Sequence, residues 1–185
     1  MDLGFTMDAT GSVDWKIETE FVKQLASARN ISPSGCHAAV IVFSNVADLE
    51  IKFSDPNNNN VDFANAVNVL KHHKGSTRMD KALKSAYYDM FSEANGMRKD
   101  VPKLLVFITD GYHRGPSVDY RRWGKKFRKR NIRVIVVGVG NFDYRHLRKL
   151  VAKKSDMHSV KSFDSLLSAN IGKDIGLGDG MLLYV

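Results

Sequence analysis

MDLGFTMDATGS, residues 1–12, is the stretch on which the reading of the whole chain turns. Leu3, Phe5 and Met7 alternate with Gly4 and Thr6, and the run stops abruptly in Asp8, Ala9, Thr10, Gly11 and Ser12. Such alternation marks a strand. A strand ending in Asp-x-Thr-Gly-Ser delivers one carboxylate and two hydroxyls to a single tight loop, and Gly11 is expected to let the backbone turn where a Cβ would clash. Oxygen-rich loops of this kind suit a hard divalent cation.

Working outward, residues 14–29 carry Trp15, Phe21, Val22 and Leu25 near the 3.6-residue period. Lys16, Glu18, Glu20 and Lys23 are expected on the opposite, solvated face of this helix. Ser32, Pro33, Ser34 and Gly35 end it. Residues 37–43 read as a strand, and 47–53 as a second with Ala47, Leu49, Ile51 and Phe53 inward and Asp48, Glu50 and Lys52 outward. Only Ser44, Asn45 and Val46 separate the two, so they predict a hairpin with a half-exposed edge strand. A polar loop over 54–60, with four consecutive asparagines, precedes a short helix at 61–70 and a longer one at 77–93. Met79, Ala82, Leu83, Ala86, Tyr87 and Met90 form the apolar face of the longer helix.

KLLVFIT, residues 103–109, is almost continuously apolar, as a strand covered on both faces should be, and it too ends in an acid, Asp110, followed by Gly111. A helix over 118–130, a buried strand over 132–139, a helix over 143–151, a short strand near 158–160 and a helix over 163–171 complete the pattern. Strands alternating with helices predict an α/β fold: a doubly wound, mostly parallel sheet with one antiparallel edge strand and helices on both faces. In such folds the ligand crevice lies at the carboxyl ends of the central strands, where strand order reverses. Asp8 and Asp110 both belong on that rim.

At 185 residues and 43% hydrophobic, the chain is expected to form one domain over 1–172 with a tail over 173–185. The single cysteine, Cys36, sits in the apolar run CHAAVIVF and reads as a small buried hydrophobe; it excludes an internal disulfide but not an oxidising compartment. No apolar run approaches the length of a membrane span, so no membrane insertion is expected. The net charge of +8 is concentrated: residues 98–161 carry 18 Lys or Arg against 5 Asp or Glu.

DATGS at 8–12, GST at 75–77 opening a helix, and VFITDG closing the strand that ends at 109 together resemble the von Willebrand factor type A domain over nearly the whole chain. In that family a metal-ion-dependent adhesion site combines Asp-x-Ser-x-Ser, a Thr from a second loop and an Asp from a third. The resemblance therefore implies metal ligands at Asp8, Thr10, Ser12, Thr77 and Asp110, with Thr10 replacing the usual Ser and keeping its hydroxyl. It implies Mg²⁺, or else Mn²⁺ or Ca²⁺, as the ion, and the carboxylate of a protein partner as its external ligand. The expected function is non-enzymatic adhesion to an extracellular matrix protein, collagen being a family precedent. The resemblance also implies that the last helix, here 163–171, shifts as the metal loop changes, and leaves an intracellular, cytoplasmic scaffold as an alternative.

Other motifs carry less. Asp8 to Gly11 has one residue too many for an aspartic protease signature and has no second copy. Gly138-Val139-Gly140 lacks the third glycine of a dinucleotide fingerprint, and no His or Cys pair has zinc spacing. The basic run Arg121, Arg122, Lys125, Lys126, Arg128, Lys129 and Arg130 surrounds Tyr120, Trp123 and Phe127, whose helical spacing puts them in the core. It reads either as a solvated helix face or as a polyanion site for a sulfated glycosaminoglycan or an acidic or mineralised matrix. Nucleic acid ranks below these, because stacking needs exposed aromatics. The sequon Asn30-Ile31-Ser32, followed by Pro33, is compatible with secretion.

Overall fold

The computed structural model describes residues 1–55, 59–174 and 176. Strands β1 (Asp2–Asp8), β2 (His37–Phe43), β3 (Ala47–Ile51), β4 (Lys103–Thr109), β5 (Ile132–Val139) and β6 (Met157–Val160) form one six-stranded sheet in the order β3-β2-β1-β4-β5-β6. All neighbours pair in parallel except β2 with β3. The chain order turns back at β1, which lies between β2 and β4, so the crevice expected of a doubly wound sheet opens where β1 and β4 end.

The central strands β1 and β4 are buried along their full lengths, as continuous apolar runs require. The pleat sorts their side chains into two cores. Leu3, Phe5, Met7, Leu104, Val106 and Ile108 face α1 (Trp15–Ser27) and α2 (Asn60–Asn68). On the other face Leu105 and Phe107 meet α3 (Met79–Ser85) and α4 (Tyr120–Lys129). Each fully buried Phe or Leu contributes about 1.5–3 kcal/mol relative to exposure, so this two-sided core holds the strand ends in register.

Several elements depart from their expected form. β3 stops at Ile51 and carries an irregularity: Ile51 pairs with Val40 and Leu49 with Ile41, which leaves Glu50 as an extra residue. The strict alternation expected over 47–53 is thereby broken. Ile51 joins the α1 core, whereas Ala47, Leu49 and Phe53 join the α3 core. The helix expected over 77–93 runs as α3 and then widens into a π-helical turn, Ala86–Met90, although its apolar face is as expected. Arg130 binds the freed carbonyls of Tyr87 and Phe91.

The helix expected over 143–151 is a short α5 (Tyr144–Leu147). That expected over 163–171 is not an α-helix at all: a 3₁₀ turn, Phe163–Ser165, precedes a short α6 (Ile171–Asp174). Ser165 Oγ donates to the Ser162 carbonyl at 2.8 Å and Ser168 Oγ to that of Ser165 at 3.1 Å, so hydroxyls engage the backbone locally. The implied movement of a last helix at 163–171 thus has no such helix to act on. Asn59 caps α2 by accepting the Asp62 N–H, at the end of the polar loop whose residues 56–58 lie outside the described residues, as does most of the tail expected over 173–185.

Gly138 explains the Gly-Val-Gly stretch as packing. A Cβ on Gly138 would lie 2.1 Å from the Phe142 ring, so the ring occupies the space that any other residue would fill. Gly138→Ala is expected to cost about 1–3 kcal/mol in urea unfolding, the usual range for overpacking; an unchanged midpoint would show that the ring moves aside freely.

Candidate metal centre

Three loops converge above the carboxyl ends of β1 and β4. The first leaves β1 at Asp8, with the Ala9 N–H continuing the ladder to the Phe43 carbonyl at 2.8 Å. The Thr10 N–H donates to Asp8 Oδ1 at 3.1 Å, folding the loop back on its own carboxylate. Thr10 Oγ1 and Ser12 Oγ are 3.5 Å apart. Asp14 ends the loop by capping α1 through the Ile17 N–H. Gly11 does not play the expected part: its φ is not in the left-handed region, and a Cβ there would meet no atom within 4 Å.

The second loop is bound to the first. Thr10 and Gly75 form an isolated parallel bridge, and the Lys74 N–H donates to the Ala9 carbonyl at 2.8 Å. Thr77 follows at the entry to α3, nearly buried, and its carbonyl accepts the Arg114 N–H at 2.8 Å. That bond joins the second loop to the third. The ideal Cβ position of Gly111 is 3.4 Å from Thr77 Oγ1, which places Asp110-Gly111 against the Thr77 hydroxyl. The structure therefore brings the Asp8, Thr10, Ser12, Thr77 and Asp110 segments to one rim.

The electrostatics of this rim are unbalanced. Asp8 is fully buried, and burial pushes its carboxyl up to about 6; hydrogen bonds from Thr109 and Thr10 oppose that shift, while the Asp110 charge adds to it. Asp110 Oδ1 is buried, and among the described residues it accepts no hydrogen bond and no Lys or Arg pairs with Asp8 or Asp110. A buried, unsatisfied carboxylate oxygen beside a second acid and three hydroxyls is a donor set suited to a hard dication.

Three supporting residues carried no signal in the sequence. Glu18, expected on the solvated face of the first helix, is completely buried and accepts the Asp8 N–H at 2.9 Å through Oε1, while Oε2 has no partner. Burial, followed by the Asp8 charge, raises its pKa well above the usual carboxylate range. Thr109 Oγ1 donates to Asp8 Oδ2 at 2.7 Å. His72 stacks on Trp15, with ring centroids 5.3 Å apart, and its Nε2 lies 2.7 Å from the Thr10 carbonyl.

The basic helix divides in two. Arg121, Arg122, Lys125, Arg128 and Lys129 are exposed. Lys126 sits 4.6 Å from the centre of the Trp123 ring and donates to Tyr88 Oη at 3.1 Å, and Arg130 stacks on Tyr87 while holding the π-turn carbonyls. Gly124 lets α4 approach the Leu150 carbonyl, where exposed Lys149 adjoins it. Tyr120 and Phe127 are buried and Trp123 partly so.

The family model of the von Willebrand factor type A domain matches residues 2–171. Matrilin-1 of Gallus gallus is 27% identical over 178 residues, covering 95% of this chain and 35% of that protein. Cuticlin-6 of Caenorhabditis elegans is 27% identical over 164 residues, covering 86% of this chain and 27% of that protein. The chain thus spans about a third or less of these curated relatives. Among solved structures, proximal thread matrix protein 1 from the mussel byssus, with a zinc-occupied MIDAS motif, superposes with a TM-score of 0.85 at 20% identity, covering 95% of this chain and 47% of that one. The fold, and the family match over residues 2–171, lead to one conclusion: this chain belongs to the von Willebrand factor type A family.

Proposed function

We propose that the rim formed by Asp8, Thr10, Ser12, Thr77 and Asp110 holds a divalent cation, and that this cation binds an acidic group on an extracellular matrix protein. The observation that carries the reading is the orphaned, buried Oδ1 of Asp110 beside the buried carboxylate of Asp8. The byssus protein with zinc in its MIDAS motif supports the choice of a dication over a monovalent ion. Mg²⁺ or Mn²⁺ suits the all-oxygen donor set best. Three of the five donors are neutral hydroxyls, so a bound ion keeps part of its charge for an external carboxylate. The activity is adhesion without turnover: the ion supplies attraction, and the three loops fix where the partner's acid sits.

Each loop has a defined task. Asp8, clamped by the Thr10 N–H and Thr109 Oγ1, presents its carboxylate in one orientation. Glu18 fixes the Asp8 backbone from below, and His72 braces Thr10 from the side. The partner's acid approaches from the open crevice, near exposed Tyr112 and Tyr144.

A second reading is favoured by the distribution of exposed charge on α4. Arg121, Arg122, Lys125, Arg128 and Lys129 would bind a sulfated glycan or another polyanion without metal. The two activities are compatible, because they share no residue.

Calorimetric titration with Mg²⁺ and Mn²⁺ tests the first reading. Thr77→Ala is expected to weaken binding by at least about tenfold, comparable to the loss of an outer-shell partner at other metal sites, with unchanged circular dichroism. Retention on immobilised collagen is expected to vanish in EDTA and in Thr77→Ala. Retention that ignores both would refute cation-mediated adhesion.

The Asp8 shift sets a pH test. A carboxyl raised in the folded state from 3.8 to about 6 favours folding fully below pH 3.8 and loses that contribution as pH rises through 6. Relative to Asp8→Asn, the metal-free chain should therefore lose up to about 3 kcal/mol between about pH 4 and pH 7, and saturating Mg²⁺ should recover it. Urea unfolding across that window measures both; a metal-free chain that gains stability relative to Asp8→Asn as pH rises would contradict the sign.

For the basic face, heparin affinity should fall at least about tenfold between about 50 and 200 mM salt. It should weaken in Lys125→Glu with Lys129→Glu and be unaffected by EDTA. Salt-independent binding would exclude the polyanion reading.

A further inference from the structure

A second cluster of metal-ligating side chains stands at the open edge of the sheet and shares no residue with the rim. Asp48 and Glu50 lie on β3, the edge strand, and His73 lies in the loop after α2. Ligand atoms of the three all lie within 4.8 Å of one another. The spacing follows from the backbone. Asp48 pairs with Val42, whose side chain belongs to the α1 core, and the irregularity in β3 leaves Glu50 as the extra residue. An extra residue of this kind re-aims its side chain, and here Glu50 lines a cavity of about 380 Å³ together with His73, Ala66, Val69 and Leu70. His73 is held there from both sides, because the His72 ring contacts the Thr10 carbonyl and the Lys74 N–H donates to the Ala9 carbonyl.

We propose that Asp48, Glu50 and His73 bind a borderline transition-metal dication of the Zn²⁺ type. The two carboxylates approach each other on one strand edge, where like charges repel unless a cation lies between them. Lys71 also lines the cavity, yet among the described residues neither carboxylate is within ion-pair distance of any Lys or Arg. One imidazole with two carboxylates favours Zn²⁺ or its first-row neighbours over Mg²⁺ and Ca²⁺, which take all-oxygen sets. Three protein ligands leave a tetrahedral ion one coordination position, directed to solvent. The site shares no ligand with the rim and does not depend on the function proposed for it.

The test is zinc titration of the tag-free chain by calorimetry and by the ring signals of His73 in NMR spectra, with excess Mg²⁺ present. Compared are the unaltered chain, Asp8→Ala, His73→Ala, and Asp48→Asn with Glu50→Gln. The exposed positions of the cluster make unfolding of the last two variants avoidable, and circular dichroism checks it. The unaltered chain and Asp8→Ala should both show zinc-dependent shifts of the His73 ring. His73→Ala and the double variant should each lose one zinc equivalent, or bind it at least about tenfold more weakly. Zinc uptake in His73→Ala and in the double variant equal to that of the unaltered chain would overturn the proposal, as would a His73 ring that zinc leaves unshifted. Loss of zinc in Asp8→Ala alone would assign all of the metal to the rim and overturn it equally.

Discussion

A fully buried carboxylate, Asp8, under the influence of a second, half-buried one, Asp110, with no Lys or Arg among the described residues paired to either, is the constraint on which the rest of this structure depends. Asp8 is fully buried, Asp110 has a buried oxygen that nothing among the described residues satisfies, and Glu18 adds a second fully buried acid against the Asp8 backbone. Buried charge left unpaired is costly, and a group so placed moves toward its neutral form, as the raised values of Asp8 and Glu18 show. A dication placed among these groups would relieve that cost. The same arrangement therefore lowers the stability of the apo protein and favours metal binding.

The sheet makes this arrangement possible. Because chain order turns back at β1, the ends of β1 and β4 lie side by side while the connections that follow lead to α1 and α4 on opposite faces, which opens a crevice at the strand ends. The strands that deliver the acids are the most deeply buried, so the acids sit on a rigid base. The hydroxyl loops are bound to that base by main-chain contacts: the Thr10–Gly75 bridge, Lys74 to Ala9, and Arg114 to Thr77. Positioning by backbone leaves the side-chain oxygens of Thr10, Ser12 and Thr77 largely free for a ligand.

Most of the fold was legible because its signals are local. Continuous apolar runs at 103–109 and 132–139 mark buried parallel strands, and the abrupt acids after the first and fourth strands mark the rim. What was not legible depends on tertiary context. The 3.6-residue period gave Glu18 a solvated face, but burial of that position comes from packing beneath Asp8, for which one helix's pattern holds no information. The serine hydroxyls that break up 163–171 act through backbone bonds that an apolar stripe does not reveal. His72 carries no signal of its own in the sequence, since its role as a brace depends on Trp15 far away in sequence. A search for His and Cys spacing likewise passes over Asp48, Glu50 and His73, which a strand irregularity and a loop bring together. Gly11 shows the reverse error, a steric need inferred from residue type that the open loop does not have.

The claim that three separate loops share one ion is tested most directly by adding Mn²⁺ in substoichiometric amounts to the isotopically labelled chain and following paramagnetic broadening of its amide signals. The account predicts that signals of residues 8–12, Thr77 and 110–111 broaden together, ahead of the rest, and recover on addition of EDTA. Broadening confined to one of these segments, or absent from all three, would contradict it.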